Sequence, residues 1–353
     1  MAGMQDLLHH VKDHRGSDLH LAAGLEPRIR RNGSLEPVPN WPALEPSQVL
    51  ALLREVASAS QWGEFESSHD IDFAYGLEGV GRFRVNYFYQ HHGASAVFRL
   101  IPEKIVTLEE LGMPKAVAAL ADVRSGLILL TGPTGSGKST TLAAIIDRIN
   151  STHGKHIVTI EDPVEFVHRN KRCRFSQREV GTDTESFSAA LRAAIRQDAD
   201  VILVGEMRDL DTIALAVTAA EMGAVVFGTL HTNGAANTID RLVDSFPADQ
   251  QAQVRTTLSE SLAAVVSQLL LRTADGRGRC AAVEILLRAP GLPNVIREGN
   301  TPMIQTIMQG GRALGMQMMD DALAALVEAR RVTPREAYLK ATNKARFENL
   351  IED

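Results

Sequence analysis

Cysteine is scarce in this 353-residue chain: Cys173 and Cys280 are the only two, far apart and without CxxC spacing. Such a pair supports neither a disulfide framework nor a four-ligand zinc site, so a reduced compartment and no structural zinc are expected. Long apolar runs are missing as well. The longest, such as LILL and VILV, are strand-sized, and nothing approaches the roughly 20 residues of a membrane span. Positive charge is not in excess: 37 Lys and Arg face 43 Asp and Glu, for a net charge of −6 and a pI of about 6.0. A strongly basic nucleic-acid binder is therefore not expected, although a local basic patch is still possible. The opening MAGMQDLLHHVKDHRG is charged throughout and lacks the apolar core of a signal peptide, so none is expected. No low-complexity segment or clear repeat is visible. What remains is 44% hydrophobic and 23% charged, an ordinary globular composition with length for two domains.

The first part, residues 1–101, reads as an α+β domain. Pro27–Arg31, then Asn32-Gly33, then Leu35 predicts a hairpin, because Asn-Gly supplies the positive φ angles of a tight turn. Ser47 is the expected cap of a helix carrying Val49, Leu50, Leu53 and Val56 on one face. Three stretches alternate with period two, at 71–75, 83–87 and 96–100. In the second, Phe83, Val85, Tyr87 and Tyr89 face one way and Arg82, Arg84 and Asn86 the other, as in an antiparallel sheet. Ile101-Pro102 is expected to end that sheet, and 102–124 to form a linker with a short helix, punctuated by Gly112 and Pro114.

From residue 125 onward, strands and helices alternate. Strands are predicted at 127–131, 156–160, 201–205 and 225–230, with helices near 138–149, 185–197 and 210–222, the last closed by Gly223. Short, continuously apolar strands between amphipathic helices indicate a parallel sheet covered on both faces. Residues from 248 are expected to be mostly helical apart from a strand at 280–287, with a capping box at Thr333-Pro334-Arg335-Glu336.

Gly132-Pro133-Thr134-Gly135-Ser136-Gly137-Lys138-Ser139, followed by Thr140, matches G-x-x-x-x-G-K-[ST] between an apolar strand and a helix. Its glycines let backbone N–H groups wrap phosphate at the positive end of the helix dipole. Lys138 is expected to reach the β- and γ-phosphates of ATP, and Ser139 to ligate Mg2+. Val201–Val204 leads through Gly205 to Glu206, a carboxylate that can orient attacking water, or a strand-end acid facing solvent. Gly205 stands where an Asp usually precedes such a Glu. Glu161-Asp162-Pro163-Val164-Glu165 follows another strand; its acids can line the crevice at the strand ends, or build a simple Asp-Pro turn. His231 ends the strand at 225–230 as a γ-phosphate sensor or a structural residue. Arg82, Arg84 and Arg99 lie on the first domain's sheet, as arginine fingers or as a solvated face.

Taken together, these motifs resemble the type IV pilus retraction ATPases (the PilT family), within the larger type II/IV secretion ATPases. The resemblance covers nearly the whole chain. GSDLHLAAGLEPRIR (16–30), GRFRVNYF (81–88) and VFRLIP (97–102) look like the family's N-terminal domain, and GPTGSGKSTTLAAIIDRIN (132–150) like its Walker A motif. TIEDPVEF (159–166) looks like its acidic box, RQDADVILVGEMRD (196–209) like its atypical Walker B, in which Gly precedes Glu, and GTLHTN (228–233) like its histidine box. The resemblance implies an α/β protein: a smaller N-terminal PAS-like α+β domain at 1–101, a linker at 102–124, and a RecA-like P-loop ATPase domain at 125–353 with a helical C-terminal part. It implies a cytoplasmic homohexamer, peripheral at the inner membrane, that hydrolyses ATP with Mg2+ and pulls on a pilus platform protein. Glu206 becomes the main catalytic acid, completed by Glu161, Glu165 and His231, with Arg82, Arg84 and Arg99 adding charge. Assembly and secretion ATPases of the group carry a four-cysteine zinc site that two cysteines cannot build. One departure stands out: the family's Ala-Ile-Arg-Glu-Gly-Lys motif reads Val295-Ile296-Arg297-Glu298-Gly299-Asn300 here, which also fits an accessory retraction ATPase. The remaining alternatives are an assembly or type II secretion ATPase, a DNA motor, or a nucleotide-gated scaffold.

Overall fold

The computed structural model describes residues 3–31, 33–101 and 104–351, so Asn32 and Pro102, on which two expectations partly rest, lie outside the described residues. The chain divides into two compact units. The first runs to Lys104 and also takes in Pro163–Val167; the second holds Ile105–Asp162 and everything from His168.

In the first unit, α1 (Met4–Asp13) precedes β1 (Asp18–Ala22), β2 (Arg28–Arg31) and β3 (Ser34–Pro37). Then come α2 (Pro46–Arg54), α3 (Ala59–Ser68), β4 (Asp70–Leu77), β5 (Gly81–Gln90) and β6 (Gly93–Ile101). The strands form one antiparallel sheet in the order β3-β2-β1-β6-β5-β4. Arg31 pairs with Ser34, which leaves the two-residue hairpin loop that the Asn-Gly signal predicts. Alternation decides which face is buried. Phe83, Val85 and Tyr87 are buried with Leu19, Leu21, Phe98, Phe65 and the apolar stripe of α1. Tyr89 departs from that pattern: it is exposed and stacks on Phe65 at 4.8 Å. Ser47 is not the cap of α2. Glu45 is the N-cap and Pro46 opens the helix, because Pro fits the first turn, where no N–H is needed. Val56 lies beyond the end of that helix.

The second unit opens with α4 (Lys115–Ala118), β7 (Gly126–Thr131), α5 (Lys138–Thr152), β8 (His156–Glu161) and β9 (Arg174–Glu179). Next are α6 (Phe187–Ala194), β10 (Val201–Val204), α7 (Leu210–Glu221), β11 (Val225–Leu230), α8 (Ala235–Asp244) and α9 (Gln251–Ser261). It ends with β12 (Leu262–Arg272), β13 (Arg279–Leu287), α10 (Leu292–Glu298), α11 (Met303–Gly310), α12 (Met319–Glu328), α13 (Pro334–Lys340) and α14 (Ala345–Glu348). The sheet order is β13-β12-β7-β11-β10-β8-β9. Successive β7 residues point to opposite faces: Leu127 and Leu129 join the core under α6–α9, and Ile128 and Leu130 join the core under α4 and α5. Helices therefore cover both faces, as continuously apolar strands require.

Three details correct the sequence-based picture of this unit. The region after 248 is not mostly helical up to 280, since α9 runs straight into the eleven-residue β12. The sheet is not purely parallel, since β12 pairs parallel with β7 but antiparallel with β13. The helix α7 has its C-cap at Met222, with Gly223 following at φ +106°. At α13, Thr333 accepts from the Glu336 N–H at 3.2 Å, while the Glu336 carboxylate accepts from the Arg272 N–H at 3.4 Å.

Candidate functional site

Four neighbouring parallel strands, β7, β11, β10 and β8, end side by side. Their carboxyl ends form the edge at which α/β sheets bind ligands. The glycine-rich loop follows β7 there, and α5 starts at Lys138, with Gly137 as N-cap at φ +86°. Gly132, Gly135 and Gly137 all have positive φ, and two of them are also closely approached by Gln268. A Cβ on Gly132 would lie 2.2 Å from the Gln268 carbonyl oxygen, and one on Gly137 would lie 2.9 Å from Gln268 Nε2. Lys138 is buried, and its ammonium donates to the carbonyls of Gly132 at 2.7 Å and Pro133 at 3.1 Å. Its positive charge thus sits at the mouth of the loop. Ser139 is exposed on the first helical turn. One hydroxyl beside a phosphate-binding loop suits Mg2+, which takes few protein ligands and completes its shell with phosphate oxygens and water.

Glu206 lies just past β10, with its backbone tied to β11 on both sides. Thr229 Oγ1 donates to the Gly205 carbonyl at 2.5 Å, and the Met207 N–H donates to the Thr229 carbonyl at 3.1 Å. Arg208 Nε is 2.6 Å from Glu206 Oε1, and His231 Nε2 is 3.0 Å from the same oxygen. A carboxylate only accepts, so the His231 tautomer has its proton on Nε2. Burial pushes the Glu206 carboxyl up, but Arg208 and His231 outweigh it and hold the group below the usual carboxylate range. Gly205 also has a steric reason. A Cβ there would lie 3.1 Å from the Ile160 oxygen and 3.3 Å from Glu161 Cα, so any larger residue would press on the end of β8.

Glu161 ends β8 next to this group, and its Oε1 accepts from Thr159 Oγ1 at 2.7 Å and Gln177 Nε2 at 3.2 Å. The structure therefore brings together the glycine-rich loop with Lys138, Glu161, Glu206 and His231. It assigns Glu165 to the first unit, within Pro163–Val167, where Arg82 Nε donates to the Val164 carbonyl at 3.1 Å. Arg84 and Arg99 are direct cross-strand partners on β5 and β6. Arg99 Nε donates to Asp18 at 2.8 Å, and Arg84 Nε lies 3.8 Å from Asp72. Two neighbours of the site escaped the sequence reading. Arg208 was visible two residues after Glu206, but nothing in the spacing showed its target. Gln268 sits on β12, a strand hidden in a stretch read as helix.

A fixed phosphate-type loop with its lysine and a constrained carboxylate at the adjacent strand ends define a P-loop ATPase. Residues 4–350 match the type II/IV secretion system protein family, and the chain belongs to it. It is 53% identical to the type IV pilus retractation ATPase PilT of Pseudomonas aeruginosa, over 92% of this chain and 94% of that one. It is 40% identical to the type IV pilus ATPase PilU of the same organism, over 96% and 88% of the two chains. A solved structure of the pilus retraction motor PilT with bound ADP superposes with a TM-score of 0.92 at 42% identity, covering 99% of this chain and 100% of that one. The expected fold class, a RecA-like ATPase domain with a smaller N-terminal α+β domain, is the one found.

Proposed function

We propose that this chain is a hexameric ATPase motor that retracts type IV pili and so drives twitching motility. The observation that carries the reading is the Glu206 carboxylate, clamped by Arg208 and His231 beside the glycine-rich loop. That geometry suits orienting a water for attack on a phosphoryl group. In this reading the N–H groups of Gly132, Pro133's following residues Thr134 to Gly137, and Thr140 cradle phosphate, and Lys138 neutralises it. Ser139 would hold Mg2+, which when bound would supply charge stabilisation to the phosphoryl oxygens. Glu206 holds the attacking water, with Glu161 and Glu165 as supporting acids. His231 fixes the Glu206 rotamer and responds to the γ-phosphate.

Arg82, Arg84 and Arg99 supply positive charge to the transferring group. Arg84 and Arg99 are direct cross-strand partners, which gathers two guanidinium groups at one place on the sheet; each also faces a carboxylate, Asp72 and Asp18. The ring acts on the cytoplasmic side of the inner membrane against a platform protein, and nucleotide-driven movement of the domains provides the stroke. Among the described residues no helix is long and apolar enough to cross a membrane.

Because Glu206 is held below its usual range chiefly against burial, it stays ionised to lower pH than an ordinary Glu. Arg208→Gln removes one clamp and raises its pKa. The acidic limb of the turnover–pH profile then moves to higher pH, which steady-state phosphate release across pH measures. An unmoved limb removes Arg208 from the account.

The pilus reading is tested by deleting the gene in the native host and counting surface pili. Retraction predicts excess pili with lost twitching, restored by the wild-type copy. Bald cells mean an assembly ATPase. The accessory reading has one observation in its favour, Asn300 at the end of the Val295–Asn300 segment. Unchanged pilus number with weakened twitching supports it.

A further inference from the structure

We infer that Gln268 is a positioning residue for nucleotide, one that fastens the phosphate loop to the first turn of α5 from a neighbouring strand. The inference rests on the nucleotide-binding part of the reading above and deepens it. Gln268 is 2% exposed, and both ends of its amide are used. Nε2 donates to the Ser136 carbonyl at 2.7 Å, and Oε1 accepts from Thr141 Oγ1 at 2.9 Å. Ser136 and Thr141 bracket Lys138, so a single side chain ties the loop on one side of the lysine to the helix on the other. The Gln268 main chain is involved as well, because its carbonyl oxygen fills the space a Cβ on Gly132 would need. Thr141 is buried too, so no water readily replaces the bonds. The Ser136 carbonyl, the Gln268 amide and the Thr141 hydroxyl are joined inside the protein, and each missing member leaves a buried partner unpaired.

The strand that carries Gln268 is itself anchored to the other half of the site. Ser267 Oγ accepts from the Gly234 N–H at 3.0 Å. Glu284, directly opposite Ser267 on β13, accepts from the Ala235 N–H at 2.7 Å and from the Met319 N–H at 3.4 Å. The N-terminus of α8, shortly after His231, and the phosphate loop are therefore held by adjacent residues of one hairpin. Prepositioned N–H groups bind an anion without first paying for loop ordering. Both polar atoms of the Gln268 side chain are engaged in holding the loop and the helix, so its effect is expected in nucleotide affinity rather than in the hydrolytic step.

The test uses the purified 353-residue chain. Gln268→Met keeps length and burial but removes both bonds. ADP affinity by titration, and KM and kcat for ATP, are compared with wild type. The expected result is a rise in ADP Kd and ATP KM on the order of tenfold, the effect of one to two lost hydrogen bonds, with a much smaller change in kcat. Thr141→Val removes one of the bonds and gives a smaller rise. The double variant binds no more weakly than Gln268→Met alone, because the two changes delete the same interaction. A merely structural role would lower the unfolding midpoint and the active fraction without moving KM. Unchanged KM in folded Gln268→Met, or fully additive losses, overturns the assignment. Should Gln268→Met fail to fold, unchanged ADP affinity in Thr141→Val overturns it, and weakened affinity upholds it. Wild-type protein that does not bind ADP would instead sink the nucleotide reading itself, so the two failures are distinguishable.

Discussion

Glu206→Gln lowers ATP turnover by about 10²- to 10⁴-fold, the range supplied by a positioned proton-transfer group. Gln keeps the size and the hydrogen-bonding reach of the side chain and loses the negative charge. The backbone at this position is pinned by Thr229 on both sides, so the substitution leaves the strand end in place. His231 and Arg208 both lose their shared anionic partner, which makes them more available to phosphate. Nucleotide affinity is therefore retained or improved while kcat collapses. Single-turnover phosphate release measures the chemical step, and ADP titration measures binding. Turnover within threefold of wild type, about 0.7 kcal/mol on the barrier, would remove Glu206 from its role.

The second large effect is expected from Arg84→Ala and Arg99→Ala together. A cationic side chain aimed at the transferring phosphoryl group contributes about 10³-fold or more in kcat, so turnover of the double variant is expected to fall by at least about that factor, with KM changed less. The neighbourhood of these residues separates this effect from misfolding. Asp18 is buried, and although burial pushes its carboxyl up, the Ser17 hydroxyl and Arg99 hold it below the usual range. It keeps Ser17 Oγ at 2.7 Å and Arg30 at 3.9 Å after Arg99 is removed. The wild-type contribution of Asp18 to stability is present above its unfolded pKa and fades as pH falls through the depressed folded value. Losing Arg99 shrinks that contribution, so the variant loses a modest part of its neutral-pH stability and still folds at pH 7. Circular dichroism at pH 7 checks folding, and phosphate release at saturating ATP checks catalysis. Wild-type turnover in a folded double variant would leave the arginines as a solvated sheet face.

The parts of this molecule that were legible in the sequence are those where local chemistry and tertiary environment agree. The loop from Gly132 to Ser139 reads directly because its glycines serve positive φ and close backbone approach, which few other roles demand. The core of the first sheet reads from period-two alternation at Phe83, Val85 and Tyr87, all buried. Tyr89 follows the same parity, yet it lies near the strand end and caps Phe65 from the solvent side. β9 was missed because Arg174–Glu179 is a polar edge strand without an apolar face. β12 was missed because α9 passes into it at Ser261-Leu262 with no Gly or Pro between, and a continuous apolar run fits buried helix and buried strand equally well. That omission also concealed Gln268, whose partners are 127 and 132 residues away in sequence. Glu161, Glu206 and His231 were recognisable as strand-end residues, but their convergence depends on the sheet order, in which β10 lies between β8 and β11.

The most direct test of the account is to watch fluorescently labelled pili on living cells of the native host whose chromosomal copy carries Glu206→Gln. The account predicts fibres that extend and then fail to shorten, with twitching lost and surface pili accumulating. Fibres that shorten as often and as fast as in the wild type would contradict the claim that ATP hydrolysis by this chain drives their retraction.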